Sequence, residues 1–502
     1  MDASIFKQYE VWFITGSQSL YGEETLRQVA IDAKKIVEGL NRSAALAVKL
    51  VWKDTLKSSE DISALMRQAN ASDACIGLMT WMHTFSPAKM WITGLRELNK
   101  PFCQFHTQYN RDIPWDSIDM DFMNLNQTAH GGREFGFIGS RLRLERKVVV
   151  GHWEDPEAQR RVDAWMRAAA AFADGKSLKV ARFGDNMREV AVTEGDKVEA
   201  QKVFGYAVHG YGLGDLAAEA SAVKGTDIDE LVAEYRTSYI LASGLDAGIG
   251  LERVRTGARL ELAIRRFLEN VGAKAFTTCF EDLHGLDQLP GLACQRLMAD
   301  GYGFGAEGDW KTAALVRALK VMGAGLKGGT SFMEDYTYHF DPKRPLVLGA
   351  HMLEICPSIA SGPIRLEAQP LGIGGKDDPA RLIFASSTGP GFNLSVMDMG
   401  NRFRFVLNEV EAVKAPAELP KLPVARVVWD PKPNLAIAAA SWIYAGGSHH
   451  SCFSQALRRE HIEDYASMAG VELLCIGEGS TVEGIKNTLR WNELYYHLAK
   501  GI

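Results

Sequence analysis

The sequence predicts an α/β protein in three parts: a Rossmann-like parallel-sheet amino-terminal domain (1–175), a mixed α/β central domain (176–325) and a β-rich carboxyl-terminal domain (326–502). Three observations lead there. Strand and helix signals alternate over the first hundred or so positions, the pattern of a parallel sheet covered by helices on both faces. Composition shifts at Ala173-Asp174-Gly175-Lys176, where an alanine-rich helix gives way to a strand. Beyond the glycine-dense joint Gly323 to Gly329, strand and turn signals dominate.

The elements follow in order. Val11 to Ile14 is a short apolar strand, and after the polar loop Thr15 to Gly22 a helix carries Leu26, Val29, Ala33, Ile36, Val37 and Leu40 on one face. Ala45 to Trp52 reads as the second strand, and Ser58, Ser59, Glu60 and Asp61 mark the next helix start. Cys75 to Thr80 is the third strand. Ser86 as N-cap with Pro87 at the first helical position opens another helix, and Pro101 to Phe105 is the fourth strand. Ligands of such sheets sit at the carboxyl ends of the strands, where the loop Gly16 to Gly22, GSQSLYG, is found. It is not a GxGxxG loop, so a nucleotide site is poorly supported. Ser17, Gln18 and Tyr21 can hydrogen-bond a polyhydroxylated ligand, or the loop is a plain strand-to-helix connection with local capping. The central segment has a strand at Leu178 to Phe183 and helices at Ile228 to Ser243, Arg255 to Val271 and Asp309 to Met322. The last part has turns at Gly389-Pro390-Gly391 and Asp398 to Asn401, a strand at Phe403 to Val410 and a helix at Ser451 to Arg458.

At 502 residues the chain exceeds one compact core. With 46% hydrophobic and 24% charged residues, and a net charge of −6 without any Lys/Arg-rich run, it reads as a soluble globular protein rather than a nucleic-acid or membrane binder. A small-molecule ligand fits better. The amino terminus lacks the layout of a signal peptide, and no apolar stretch approaches a membrane span. Seven scattered cysteines with no CxxC spacing suggest reduced thiols packed in a cytoplasmic protein.

The stretch SFMEDYTYHFDPKRPLVLGAHMLEIC, Ser331 to Cys356, carries the chemistry. Alternation puts Phe332, Glu334, Tyr336, Tyr338 and Phe340 on one strand face, where a carboxylate among aromatics is costly without a partner. Asp341 to Pro345 is a turn, and the hairpin it closes sets Glu334 nearly opposite His351. This is either a structural Glu–His hydrogen-bonded pair or part of a metal site. Glu307 lies in GYGFGAEGDW among Gly303, Gly305 and Gly308, which allow a ligand to approach the backbone; the alternative is an acid placed at a helix start by the dipole. His449-His450 sits in AGGSHHSCF, also before a presumed helix start. Two glutamates with histidines from two segments make a mixed oxygen and nitrogen set suited to Mn²⁺.

Nine stretches carry a resemblance over nearly the whole length: FITGSQSLYGEETLRQV, WMHTFSPAKMWI, DFMNLNQTAHGGREFGFI, GYGFGAEGDWKTAAL, GGTSFMEDYTYHF, LGAHMLEICPSIA, SSTGPGFNLSVMDMGNRFR, AGGSHHS and LRWNELYYH. The chain resembles the L-arabinose isomerases. The resemblance implies an arabinose/fucose isomerase-like fold and an aldose–ketose isomerase that interconverts L-arabinose and L-ribulose. It implies one divalent ion per subunit, usually Mn²⁺ with Co²⁺ as the alternative, held by Glu307, Glu334, His351 and His450 rather than His449. It further implies a homohexamer with active sites between subunits, Gln18, Leu20 and Tyr21 of a neighbour lining the sugar pocket with Phe85, Gln127, His130, Met187, Phe280 and Ile373.

The chemistry fits these residue types. Moving a carbonyl from C1 to C2 takes a proton from C2 and gives one to C1 through an enediol whose negative oxygen needs stabilising, here by the metal as Lewis acid. Glu307 and Glu334 are the expected base and acid. D-Galactose shares the configuration at the reacting carbons, so D-tagatose is an expected side product. A hydride shift is the rival mechanism; a sugar-binding regulator and a metal hydrolase are the rival functions.

Overall fold

The computed structural model describes residues 1–372 and 375–499. Its contacts divide the chain into two compact units, one of Asp2–Ala173 with Glu460–Ala469, the other of Met1, Asp174–Arg459 and the segment from Gly470 onward. Each is described by itself.

In the first unit, β1 (Glu10–Gly16), β2 (Lys49–Trp52), β3 (Cys75–Met82), β4 (Phe102–His106) and β5 (Lys147–Val150) form an all-parallel sheet in the order β2-β1-β3-β4-β5. The helix Gly22–Arg42 buries Val29, Ala33, Ile36, Val37 and Leu40, the stripe its sequence predicts. Ser58 caps the helix Ser59–Ala71 by accepting the Asp61 N–H. Two expectations fail here. The second strand starts at Lys49, not Ala45. Ser86 does not cap a helix: its hydroxyl receives the Trp91 indole N–H at 2.9 Å, and the extended Pro87 leads into a 3₁₀ turn, Ala88–Trp91, before the helix Ile92–Glu97. The segment Glu460–Ala469 joins this unit through charge. Lys147 Nζ binds Glu460 at 2.7 Å and Asp464 at 2.9 Å, while Arg160 and Arg161 also reach Glu460.

In the second unit, β6 (Lys179–Phe183), β7 (Ala207–Tyr211), β9 (Ala275–Thr278) and β10 (Gly303–Gly305) make a parallel sheet ordered β10-β9-β6-β7, while β8 (Ile240–Leu241) joins β13 (Arg365–Ala368) and β14 (Ala380–Ile383). The strands β11 (Thr330–His339), β12 (Leu346–Ala350), β15 (Gly389–Asp398), β16 (Phe403–Val413), β17 (Arg426–Pro431) and β18 (His450–Ser454) pair in the order β15-β18-β11-β12-β17-β16. Because β15 also pairs with β16, this antiparallel sheet closes on itself, with β19 (Glu472–Ile476) added in parallel to β16. The helix Trp310–Met322 lies against β9 and β10 on one side and β11, β15 and β18 on the other, and every residue of it is buried. Its cations are neutralised individually. Lys311 Nζ donates to the carbonyls of Thr193 and Glu194, and Arg317 makes a bidentate pair with Asp174.

Three more expectations are corrected in this unit. Gly389-Pro390-Gly391 is not a turn but the start of β15, paired with Val410–Ala412 of β16; β18 pairs β15 only at Phe392–Leu394, so Pro390 stands where its other edge is unpaired. Ser451 to Arg458 is not a helix: His450–Ser454 is a wholly buried strand paired on both sides, and the helix begins at Arg459. Pairing on two edges overrides the local pattern. In the hairpin, Glu334 stands opposite Ala350, one residue from His351, and a bulge between Asp335 and Thr337 reverses the faces beyond it. Tyr336, Tyr338 and Phe340 are exposed, so the predicted aromatic face reduces to Phe332 beside Glu334.

Candidate metal centre

Neighbouring strands bring the predicted ligands together. On β11, Glu334 pairs with His450 of β18 on one side and with Ala350 of β12 on the other, and His351 follows Ala350 directly. Glu307 enters from the turn between β10 and the buried helix. It holds a left-handed backbone, φ 58°, uncommon for a residue with a side chain, with its carbonyl bound by the Met187 N–H at 3.0 Å. The glycines around it serve the protein rather than a ligand, contrary to the expectation. A Cβ on Gly303 would meet the Ala313 carbonyl oxygen at 2.1 Å, and one on Gly308 would meet Asn186 Cα at 2.5 Å. Small residues let helix and loop close onto β10, and that closeness fixes Glu307.

The imidazoles share one arrangement. His450 Nδ1 lies 3.0 Å from Asp309 Oδ2, and its Nε2 lies 3.3 Å from Glu334 Oε1 and 3.6 Å from Glu307 Oε2. His351 Nδ1 lies 2.5 Å from Glu354 Oε2, and its Nε2 lies 3.4 Å from Glu334 Oε1. Each ring thus donates from Nδ1 to an outer carboxylate and turns Nε2 toward the glutamates, the way carboxylates orient metal-ligating histidines. The Phe332 ring packs edge-on against both, 5.1 Å from each centroid. His449 Nε2 lies 3.7 Å from Glu307 Oε2 but is 46% exposed. Glu307, His449 and His450 form a group whose ligand atoms lie within 4.8 Å of one another.

Electrostatics follow the geometry. Burial works to raise the Glu307 carboxyl, but His449 and His450 outweigh it and hold it well below the usual carboxylate range. The Glu334 carboxyl, raised by burial, is brought below its ordinary value by His450 and His351. Burial opposes charging of His450, yet Asp309, Glu307 and Glu334 lift it well above 6.5; Glu354 likewise lifts His351 against its burial. A cation is what these carboxylates solicit. The residues fit a divalent metal on one further observation: His450 Nε2 is buried without a hydrogen-bond partner, aimed between two ionised glutamates. Two carboxylates and two imidazoles are a donor set for such an ion.

The remaining predicted residues fall into place unevenly. Met187 and Phe280 accompany Glu307, the first through its backbone bond and the second two residues beyond Thr278, whose carbonyl binds the Gly308 N–H. Gln18, Leu20, Tyr21, Phe85, Gln127 and His130 belong to the other unit. There, Gln127 Nε2 donates to the Tyr21 hydroxyl at 3.1 Å, Gln127 Oε1 meets His130 Nδ1 at 3.1 Å, and the His130 ring stacks on Phe85 at 4.7 Å. Ile373 lies outside the described residues. Asp309 and Glu354 escaped the sequence reading. Asp309 looked like a helix start, which it also is, its side chain accepting the Thr312 N–H; Glu354 carried a signal only in its spacing of three from His351.

Three family models together match nearly the whole chain: the L-arabinose isomerase N-terminal domain over residues 5–177, the central domain over 179–325 and the C-terminal domain over 329–472. The chain belongs to the L-arabinose isomerase family. Relatives named L-arabinose isomerase bear this out. That of Herpetosiphon aurantiacus is 61% identical over 497 residues, covering 99% of both chains, and that of Serratia proteamaculans is 59% identical over 495 residues, covering 98% of this chain and 99% of the relative. The L-arabinose isomerase of Yersinia enterocolitica is 60% identical over 497 residues. Membership accounts for the fold class expected from the sequence, a parallel-sheet amino-terminal part and a β-rich carboxyl-terminal part. Among the described residues no helix is long and apolar enough to cross a membrane.

Proposed function

We propose that this chain interconverts L-arabinose and L-ribulose as a cytoplasmic, metal-dependent aldose–ketose isomerase. The observation that carries the reading is the convergence of Glu307, Glu334, His351 and His450, with both Nδ1 atoms tied to outer carboxylates and both Nε2 atoms turned inward. These four residues would hold one Mn²⁺, or Co²⁺ in its place, which when bound supplies Lewis-acid stabilisation to the sugar's oxygens. Glu307 and Glu334 handle the protons: one takes the C2 proton of the aldose and the other returns a proton to C1, leaving the carbonyl at C2. Their low carboxyl values keep both ionised and able to accept. Asp309 and Glu354 keep each imidazole in the tautomer that leaves Nε2 available.

The sugar pocket is completed, in this reading, by Met187, Phe280 and Ile373, and by Gln18, Leu20, Tyr21, Phe85, Gln127 and His130, some of them from a neighbouring subunit of a homohexamer. Leu20, 84% exposed at the tip of its loop, supports a surface offered to another chain. Domain limits of 1–175, 176–325 and 326–502 and a side activity from D-galactose to D-tagatose belong to the same proposal. The test is to strip the protein with chelator, restore Mn²⁺ and assay ketose formation from L-arabinose. Activity that vanishes and returns supports the reading; a protein that binds L-arabinose yet never forms ketose refutes it.

A further inference from the structure

Beneath the cluster of Tyr21, Phe85, Gln127 and His130 lies a pair that the proposed reaction does not use. His83, wholly buried just beyond the end of β3, sets Nε2 3.0 Å from Asp32 Oδ2, and Asp32 is 1% exposed on the helix Gly22–Arg42. The other carboxylate oxygen of Asp32 receives Gln28 Nε2 at 2.9 Å. His83 Nδ1 is buried and meets no hydrogen-bond partner in the protein, so Asp32 is the ring's one polar anchor, with Trp81 stacked on its face at 4.5 Å. A buried imidazole and carboxylate are costly to desolvate, and this pair sits beneath no catalytic chemistry in its own unit.

The pair has a definite output. The His83 carbonyl accepts the Gln127 N–H at 2.8 Å, and the Gln127 side chain in turn binds Tyr21 and His130, the latter stacked on Phe85. The next residue, Thr84, shares a 2.6 Å hydrogen bond with Ser17 at the root of the GSQSLYG loop, and that loop feeds the helix on which Asp32 rides. Both ends of the circuit therefore return to the same two segments. The geometry points to Asp32 and His83 as positioning residues that hold Gln127 and Tyr21 in register for the hydroxyls of the sugar. The inference rests on the reading that these two line the sugar pocket.

The test compares four variants of the full-length, Mn²⁺-loaded enzyme. Gln127→Ala and Tyr21→Phe probe the pocket reading itself; Asp32→Asn, which preserves shape, and His83→Asn probe the pair. If the inference is right, all four raise KM for L-arabinose by about 5- to 10-fold, the scale of one net hydrogen bond. For Asp32→Asn and His83→Asn, kcat stays within about twofold, and Tm and Mn²⁺ affinity hold, because a binding contact has been lost rather than the fold. An unchanged KM in Asp32→Asn while Gln127→Ala and Tyr21→Phe raise it overturns the positioning role alone. So does a joint fall of Tm and kcat with KM intact in both pair variants. An unchanged KM in Gln127→Ala and Tyr21→Phe removes the pocket reading first.

Discussion

His450 gives its Nδ1 hydrogen to Asp309 at 3.0 Å, and Asp309 is at once the N-cap of the buried helix that follows Glu307. One carboxylate thus fixes the tautomer of a ligand, the start of a helix and, through that helix, the turn that carries the Glu307 carboxyl. Asp309→Asn is therefore expected to weaken Mn²⁺ binding by about 10- to 100-fold, the usual cost of losing such an outer partner. Calorimetric titration of the chelator-treated protein measures it. Glu354→Gln should act alike through His351.

Glu307→Gln and Glu334→Gln should each fold and yet lose turnover by about 10² to 10⁴, the range for a proton-transfer group. Circular dichroism and a ketose assay separate the two effects. A variant retaining near-normal kcat does not carry the proton.

Run in D₂O, the reaction should place solvent deuterium at C1 of L-ribulose, because a carboxylate that accepts the C2 proton exchanges it with solvent. Mass spectrometry of the product reads the label. Its complete absence would favour a hydride shift over the enediol.

The pH dependence has a defined sign. In the metal-free protein His450 and His351 titrate above their ordinary 6.5, so the stability they add is full below that value and is lost as pH rises through their folded values. Glu307 and Glu334 titrate below their ordinary 4.5, so their contribution is present above it and is lost as pH falls through their folded values. Mn²⁺ displaces the imidazole protons. Its affinity, and the rise in Tm on adding it, should accordingly grow between about pH 6 and about pH 8. Differential scanning calorimetry at several pH values checks the trend.

Gly349→Ala tests the packing behind His351. The new Cβ would lie 1.8 Å from Cζ3 of Trp429, which is buried and stacked on Phe453. A cost of about 1–3 kcal/mol in denaturant unfolding is expected, the usual scale of overpacking. Mn²⁺ binding should weaken with it, because β12 delivers His351.

Much of this was legible in the sequence where a local pattern has a single physical meaning. The stripe Val29 to Leu40, the Ser58 cap and the alternating strands need no tertiary information, and Glu334 and His351 announced themselves as polar residues in apolar runs. What stayed hidden depends on neighbours distant in the chain. Ser86 turned from cap to acceptor because Trp91 folds back onto it, and Ser451–Ser454 became a strand because β11 and β15 flank it. The bulge at Tyr336 moved the hairpin register by one, which no alternation rule anticipates. Asp309 and Glu354 were invisible as ligand supports because their role exists only once the imidazoles face them.

The central claim is that one divalent cation sits among four side chains drawn from separate strands and a turn. Anomalous diffraction at the manganese edge from crystals of the Mn²⁺-loaded protein tests it most directly. A single peak within bonding distance of Glu307, Glu334, His351 Nε2 and His450 Nε2 is the predicted result. A peak bound elsewhere, or none in a protein that converts L-arabinose, would contradict it.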